Sequence, residues 1–347
     1  MVDLQKNFIT FHDKIKLEYE DNSLLRDYKD QVLDGLKKNL DIDHQFSPFV
    51  QGSYSVFTGI KSSDVDIDFD IDIGIELDIN RNDYEDPVKL KVFVRDAMKL
   101  TFPQSKVEIK KPCVTINFSD KNSGESVHVD IALYAKENGS YYLARGNEYG
   151  NYENRYWEEA EPKKLKDKIN NFSEDPDARK QFRRCIRYLK RWKDNKFNQE
   201  NRPTGIGITS LALQNFKSKK SVDLFAGSTT YNDLQALKEF VSILTKSFTC
   251  PAYDEKNGTN YMRIEADLPV SPHSDTFCKM TAKQMKDFKI KLDSLYEDLN
   301  YAGDTFDKHE ATKLLNKQFG NDFEIVSEQN VSEQSRNNGF ITDYPSA

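Results

Sequence analysis

Long apolar runs are missing from this chain: none approaches the ~20 residues needed to span a bilayer. The opening MVDLQKNFIT lacks a signal-peptide pattern, so a soluble cytoplasmic protein without a membrane partner is expected. Cysteine is scarce, with four residues (Cys113, Cys185, Cys250, Cys278) far apart and no CxxC pair. That spacing speaks against a zinc site and for buried free thiols in a reducing compartment. An excess of positive charge is also missing. Fifty basic residues face 57 acidic ones, a net charge of −7. A general electrostatic nucleic-acid binder is thereby disfavoured and no stable nucleic-acid partner is expected, although a local basic groove remains open. No internal repeat is visible. What is present is a polar but globular composition, 37% hydrophobic and 31% charged, with 22 Phe and 17 Tyr. At 347 residues the chain is long enough for two lobes with their own cores.

One stretch organises the rest, QGSYSVFTGIKSSDVDIDFDIDIGIELD at 51–78. Between Asp64 and Asp72 every second residue is aspartate, and from Val65 to Ile79 the odd positions are all Val, Ile, Phe or Leu. A period of two is the mark of a strand with one buried and one polar face. The aspartates then form a single row of like charges, which repel one another. A solvated edge strand guarded against aggregation is the plain explanation. The chemical one is cation binding, for which hard carboxylate oxygens favour Mg²⁺ or Mn²⁺. Gly52-Ser53 just upstream offers a tight turn whose N–H groups and hydroxyl suit phosphate oxygens. Asp70 and Asp72 share one strand face. Asp130 lies mid-strand on the polar face of Val127-Val129-Ile131-Leu133, beside His128, which reads as an ordinary partnered strand histidine. Two ions held roughly 3.5–4 Å apart by such carboxylates serve phosphoryl or nucleotidyl transfer. An EF-hand starting at Asp68 fails, because Ile73 stands where Gly is needed and Ile79 where Glu is needed.

Around this stretch the pattern predicts helices over 7–40, broken at Asp21-Asn22-Ser23, and from Asp86-Pro87 to Leu100. Strands follow at Val107–Ile109, Val114–Phe118, Val127–Leu133 and Ser140–Arg145, giving a helix-flanked, mainly antiparallel or mixed sheet to about residue 150. From Asp175 the pattern turns helical. Phe182, Cys185, Ile186, Leu189 and Trp192 make an apolar stripe, and Arg183, Arg187, Lys190 and Arg191 a basic one. Further helices begin after Thr204-Gly205, around Leu234, at the capping box Thr281/Gln284 (with Gly303 as a stop) and at Asp307/Glu310 (stopped by Gly320).

The Gly52-Ser53 turn, Thr58 and Phe69-Asp70-Ile71-Asp72-Ile73-Gly74, with a later strand aspartate, resemble the DNA polymerase β-like nucleotidyltransferases. Phe11-His12, Phe49-Val50-Gln51-Gly52-Ser53-Tyr54, His128-Val129-Asp130, Arg187–Trp192 and the segment from Pro269 to Thr281 are similar to the CD-NTases. These are the cGAS/DncV-like nucleotidyltransferases of bacterial CBASS anti-phage systems. The resemblance implies an α/β (α+β) fold, a polymerase β-like lobe with a mixed sheet plus a helical C-terminal lobe. It divides the chain into a catalytic lobe over 1–160 and a helical lobe over 161–326, and the Ser-, Asn- and Gln-rich composition of 327–347 predicts a disordered tail. It also implies an enzyme that makes a cyclic di- or trinucleotide from NTPs (ATP or GTP first, a pyrimidine NTP as an option), using two Mg²⁺ or Mn²⁺ ions and releasing pyrophosphate. Asp70, Asp72 and Asp130 take the metal-ligand role. Gln51, Gly52 and Ser53 take the donor triphosphate, Lys190 contacts phosphates, and Thr209 or Ser210 adds a hydroxyl. Asp66/Asp68 is the alternative register for the aspartate pair. A tail ending Tyr344-Pro345-Ser346-Ala347 suits conjugation by a ubiquitin-transfer-like partner enzyme. The competing functions are a relative that modifies RNA or protein, and a catalytically silent nucleotide sensor.

Overall fold

The computed structural model describes residues 2–17, 23–62, 68–119, 126–223, 228–254 and 259–328. They form two compact units. The sheet unit comprises Lys16–Arg179 with Glu265–Cys278. The helical unit comprises the described residues of Met1–Ile15, Lys180–Ile264 and Lys279–Ala347. This division differs from the expected 1–160 and 161–326: residues 161–179 and 265–278 fall in the sheet unit, and the first helix, α1 (Gln5–Ile15), falls in the helical unit. Its apolar face explains why: Phe8 and Phe11 pack against the rings of Tyr188, Phe319 and Phe323. Most of the tail lies outside the described residues. No helix among the described residues is long and apolar enough to cross a membrane.

In the sheet unit the chain runs through α2 (Ser23–Asn39), β1 (Phe46–Val50), a single turn α3 (Gly52–Ser55), β2 (Asp68–Leu77) and α4 (Val88–Thr101). Strands β3 (Lys106–Ile109), β4 (Val114–Ser119), β5 (Ser126–Glu137), β6 (Ser140–Arg145) and β7 (Tyr156–Ala160) follow, then α5 (Pro162–Asn170). The sheet has the order β1-β2-β5-β4-β3, with β6 joining β5 to β7. It is mixed: β2 and β5 are parallel, and the other pairs are antiparallel.

The alternation read from the sequence divides this sheet into two faces. Ile71, Ile73, Ile75 and Leu77 of β2 join Val127, Val129, Ile131 and Leu133 of β5 and Val114, Ile116 and Phe118 of β4 in one core. Helices α2 and α4 cover it with Leu25, Val32, Leu36, Leu90, Val94 and Met98. A one-residue slip of β2 would bury its aspartates, so hydrophobic burial fixes the facing of the strand. The described strand begins at Asp68; Asp64 and Asp66 lie outside the described residues. The strands β1 and β7 escape the sequence pattern because they are short and only partly buried.

Lys91 of α4 is fully buried, and its ammonium donates to the carbonyls of Lys110 (3.0 Å), Lys111 (2.7 Å) and Gly146 (3.1 Å). Burial pulls its pKa down to about 8, which leaves it cationic at neutral pH with three donors for three acceptors.

The helical unit contains α6 (Pro176–Lys196), α7 (Gly205–Asn215), α8 (Asp233–Lys246), α9 (Ala282–Asp304) and α10 (Lys308–Phe319). The capping box at Thr281/Gln284 is formed, with both reciprocal bonds present. Gly303 does not stop α9, which runs on to Asp304, whereas Gly320 caps α10 with a φ of 82°. Two hairpins, β8–β9 (Lys220–Asp223, Ser228–Tyr231) and β10–β11 (Thr249–Asp254, Thr259–Arg263), were not anticipated, since sequences such as KSVD and STTY carry no apolar face. Cys250 on β10 and Cys278 are exposed, which corrects the expectation of four buried thiols.

Three residues of the basic stripe of α6 are also buried, Arg187 at 6% exposed, Arg191 at 2% and Lys190 at 8%, while Arg183 is half-buried. Arg187 pairs with His12 of α1 at 2.9 Å, and Arg191 with Asp322 at 3.2 Å. Arg184 grips the fully buried Asp233 through two N–H groups at 2.6 and 2.7 Å, and Tyr188 donates to the same carboxylate at 2.9 Å.

Replacing Lys91 with Met leaves the buried Gly146 carbonyl unmet, whereas the Lys110 and Lys111 carbonyls keep the N–H groups of Cys113 and Gly146. At about 1–3 kcal/mol for an unmet buried group, partly offset by removing a buried charge, the variant should be destabilised by about 1–2 kcal/mol. A denaturation midpoint equal to that of the parent would show that the three bonds contribute no net stability.

Candidate active site

The polar face of the sheet is built by register. Parallel pairing sets Asp70 beside His128 and Asp72 beside Asp130. Antiparallel pairing carries the same rows onto β4, where Thr115 lies beside Asp130 and Asn117 beside His128. One row across three strands is therefore Asp72-Asp130-Thr115, all on the face away from the helices. Asp70 is exposed, and Asp72 and Asp130 are half-buried.

Chain entry into this face is set by β1. Val50 pairs with Ile73, and the Gln51 N–H then donates to the Asp72 carbonyl at 3.0 Å. Gly52 follows with a φ of +66°, a left-handed conformation that a side chain resists. There is a second reason for glycine here. A Cβ would come within 1.9 Å of Asp72 Oδ2, so the carboxylate rests directly on the glycine backbone. The turn is braced by Thr58 N–H donating to the Ser53 carbonyl (3.1 Å) and Ser55 Oγ donating to the Gly52 carbonyl (3.1 Å). Thr58 itself is 1% exposed, which accounts for its place in the motif.

Gln51 is held in turn by Tyr134, whose hydroxyl donates to Oε1 at 2.9 Å. Burial raises the Tyr134 pKa, so the hydroxyl keeps the proton it donates. Above that, the ring of Phe49 lies over Gly74: a Cβ at this glycine would meet the ring at 2.2 Å. On the other flank Thr115 is fully buried and donates to Asp130 Oδ1 at 2.5 Å. Cys113 lies behind it, with Sγ 3.6 Å from Thr115 Oγ1. Burial, and then the Asp130 charge, push this thiol up to about 12, so it stays neutral.

Among the described residues no three His, Cys, Asp or Glu side chains close into a ready-made metal cage. What the backbone supplies is a shared face, hard oxygen donors on neighbouring strands and a glycine turn seated against one of them.

A family model described as cyclic GMP-AMP synthase DncV-like, nucleotidyltransferase domain, matches residues 47–134. The match runs from β1 to β5 and includes Gly52, Asp70, Asp72 and Asp130. The similarity of fold extends further. Vibrio cholerae DncV in its GTP-bound form matches with a TM-score of 0.64 at 18% identity, covering 92% of this chain and 96% of that one. The same protein as cyclic AMP-GMP synthase, in complex with the linear intermediate 5′ pppA(3′,5′)pG, matches with a TM-score of 0.60 at 18% identity, over 92% and 97%. CdnC from Escherichia coli MS115-1, in its complex with HORMA-deltaN, matches with a TM-score of 0.64 at 19% identity, over 93% and 98%.

Lys190 and Ser210 lie outside the matched residues, in the helical unit. Lys190 is buried rather than solvated, and it packs at the start of α7. A Cβ on Gly205 would lie 3.4 Å from its Cε and 3.9 Å from its Nζ. Ser210 is fully buried in α7, and its Oγ has no hydrogen-bond partner among the described residues. Thr209 Oγ1 donates to the Gly205 carbonyl at 3.0 Å. The matched residues also include Tyr134 and Thr115, whose roles no local pattern announces, because they depend on the distant partners Gln51 and Asp130.

Gly52→Ala adds a methyl where Asp72 already lies and strains a left-handed backbone. The protein should remain folded while nucleotide-dependent activity falls by ~100-fold, as expected when reacting groups are displaced by about an ångström. Circular dichroism and an NTP turnover assay separate the two effects; full turnover in the folded variant would refute the proposed packing constraint.

Proposed function

We propose that this chain is a nucleotidyltransferase that joins NTPs into a cyclic di- or trinucleotide second messenger, releasing pyrophosphate at each linkage. The observation that carries the proposal is the seating of Gly52 on Asp72, with Asp72 one strand spacing from Asp130. A phosphate-holding turn and a pair of carboxylates thereby meet at one place on the sheet. The DncV-like domain supports the reading, and the described relatives include a cyclic AMP-GMP synthase.

Asp70, Asp72 and Asp130 are the residues that would hold two Mg²⁺ or Mn²⁺ ions. Bound there, such ions supply charge compensation for a triphosphate and lower the pKa of an attacking hydroxyl. The donor set suits them, because it is all carboxylate oxygen with no thiolate or imidazole required. Gly52 presents backbone without a side chain, so phosphate oxygens can approach its N–H groups. Ser53 adds a hydroxyl. Tyr134 holds Gln51, which limits movement of the turn. These residues position and compensate charge, the main protein contribution in transfers of this kind. The anti-phage role rests on the CD-NTase resemblance.

Incubation with all four NTPs and Mg²⁺ or Mn²⁺ should give a phosphatase-resistant cyclic product, identified by mass spectrometry and nuclease sensitivity. Asp70→Asn combined with Asp72→Asn should lower its yield by at least ~100-fold without changing the melting temperature. A double variant as active as the parent would overturn the site. Product only on added RNA or protein would favour a macromolecule-modifying relative, and NTP binding without pyrophosphate release would favour a silent sensor.

A further inference from the structure

We infer that Thr115 is a positioning residue for Asp130, holding one carboxylate oxygen so that the other is presented to a divalent cation. The inference rests on the metal-binding reading above and extends it to a residue on a third strand.

Thr115 sits in the middle of β4, fully buried, on a strand where β-branched side chains are favoured. A hydroxyl buried there costs free energy unless it is bonded. The Thr115 hydroxyl donates to Asp130 Oδ1 at 2.5 Å. Only one hydroxyl proton is available, so the adjacent Cys113 Sγ, 3.6 Å away, faces the threonine oxygen as a weak S–H donor. Behind both, Lys91 ties the carbonyls of Lys110 and Lys111, at the turn into β4, to that of Gly146. The strand that carries Thr115 is therefore fastened at its start, just where Cys113 and Thr115 leave the turn.

The row Asp72-Asp130-Thr115 gives this bond its consequence. Asp130 has a like charge beside it on β2 and a hydroxyl donor beside it on β4. The donor stabilises the ionised carboxylate next to its repulsive neighbour. It also selects one rotamer, and a ligand held in one rotamer binds metal with less ordering cost. The chain thereby supplies an outer support whose loss weakens metal binding while leaving the nucleotide turn at Gly52-Ser53 unaltered.

The test uses the full chain as Thr115→Val, nearly isosteric, and Thr115→Ser, which keeps the hydroxyl. Mn²⁺ affinity is measured by calorimetry in the presence of a non-hydrolysable ATP analogue, with Asp130→Asn as the control. Thr115→Val should weaken Mn²⁺ by roughly 10–100-fold, the usual effect of removing an outer partner of a metal ligand, with Thr115→Ser near the parent. In turnover assays kcat should fall, and the Mg²⁺ concentration for half-maximal rate should rise, with KM for NTP little changed. Parent-like Mn²⁺ affinity in Thr115→Val, while Asp130→Asn loses Mn²⁺, would overturn the positioning role alone. Unchanged Mn²⁺ affinity in Asp130→Asn would overturn the underlying metal site together with it. Equal loss in the Val and Ser variants, accompanied by a lowered melting temperature, would assign Thr115 to packing and reject the proposal.

Discussion

The parallel pairing of β2 with β5 is the constraint on which the candidate site depends. Among the described strands of the sheet it is the one parallel pair, the other neighbours being antiparallel. Parallel strands need a long connection between them, and here α4, β3 and β4 lie between β2 and β5 in sequence. That detour brings Asp72 and Asp130, far apart in the chain, into one row. The isoleucines of β2 and the valines of β5 meet on the opposite face, so core formation and site formation are one event. Burial of the apolar rows supplies the free energy that holds like charges side by side.

Much of this was legible because the two faces of a half-buried strand leave different marks. The Asp-Ile alternation located β2 and its polar face, and the alternation from Val127 to Leu133 did the same for Asp130. Helix ends were readable where capping chemistry is local, as at Thr281/Gln284 and Asp307/Glu310. Other features depend on partners distant in sequence. Nothing around Thr115 or Tyr134 announces that one reaches Asp130 and the other Gln51. The placement of α1 with the helical unit follows from aromatic contacts to Tyr188, Phe319 and Phe323, none of which is local. The basic residues of α6 read as one stripe, yet the partners they find, such as His12 and Asp322, lie far away in sequence.

Buried polar groups are used with economy in this protein. Lys91 spends its three donors on three carbonyls. Asp233 collects Arg184, Tyr188 and Gln181 around one carboxylate. Such networks contribute little net stability when complete and cost much when broken, so they select one arrangement over near alternatives. Their positions matter as well. The Lys91 network braces the turn from β3 to β4, and the Asp233 network joins α6 to the start of α8.

Gly74 has a meaning beyond local packing. The run of alternating aspartates in β2 is translationally degenerate: sliding the strand by two residues keeps every isoleucine in the core and still leaves carboxylates on the polar face. Hydrophobic burial sets the parity of the strand but is blind to its phase. Phe49 breaks the degeneracy, because its ring fits only over a residue without a Cβ, and a shift by two would put Asp72 or Glu76 beneath it. The glycine thus acts as an index mark, selecting from a repetitive series the one aspartate, Asp72, that stands against Gly52 and beside Asp130.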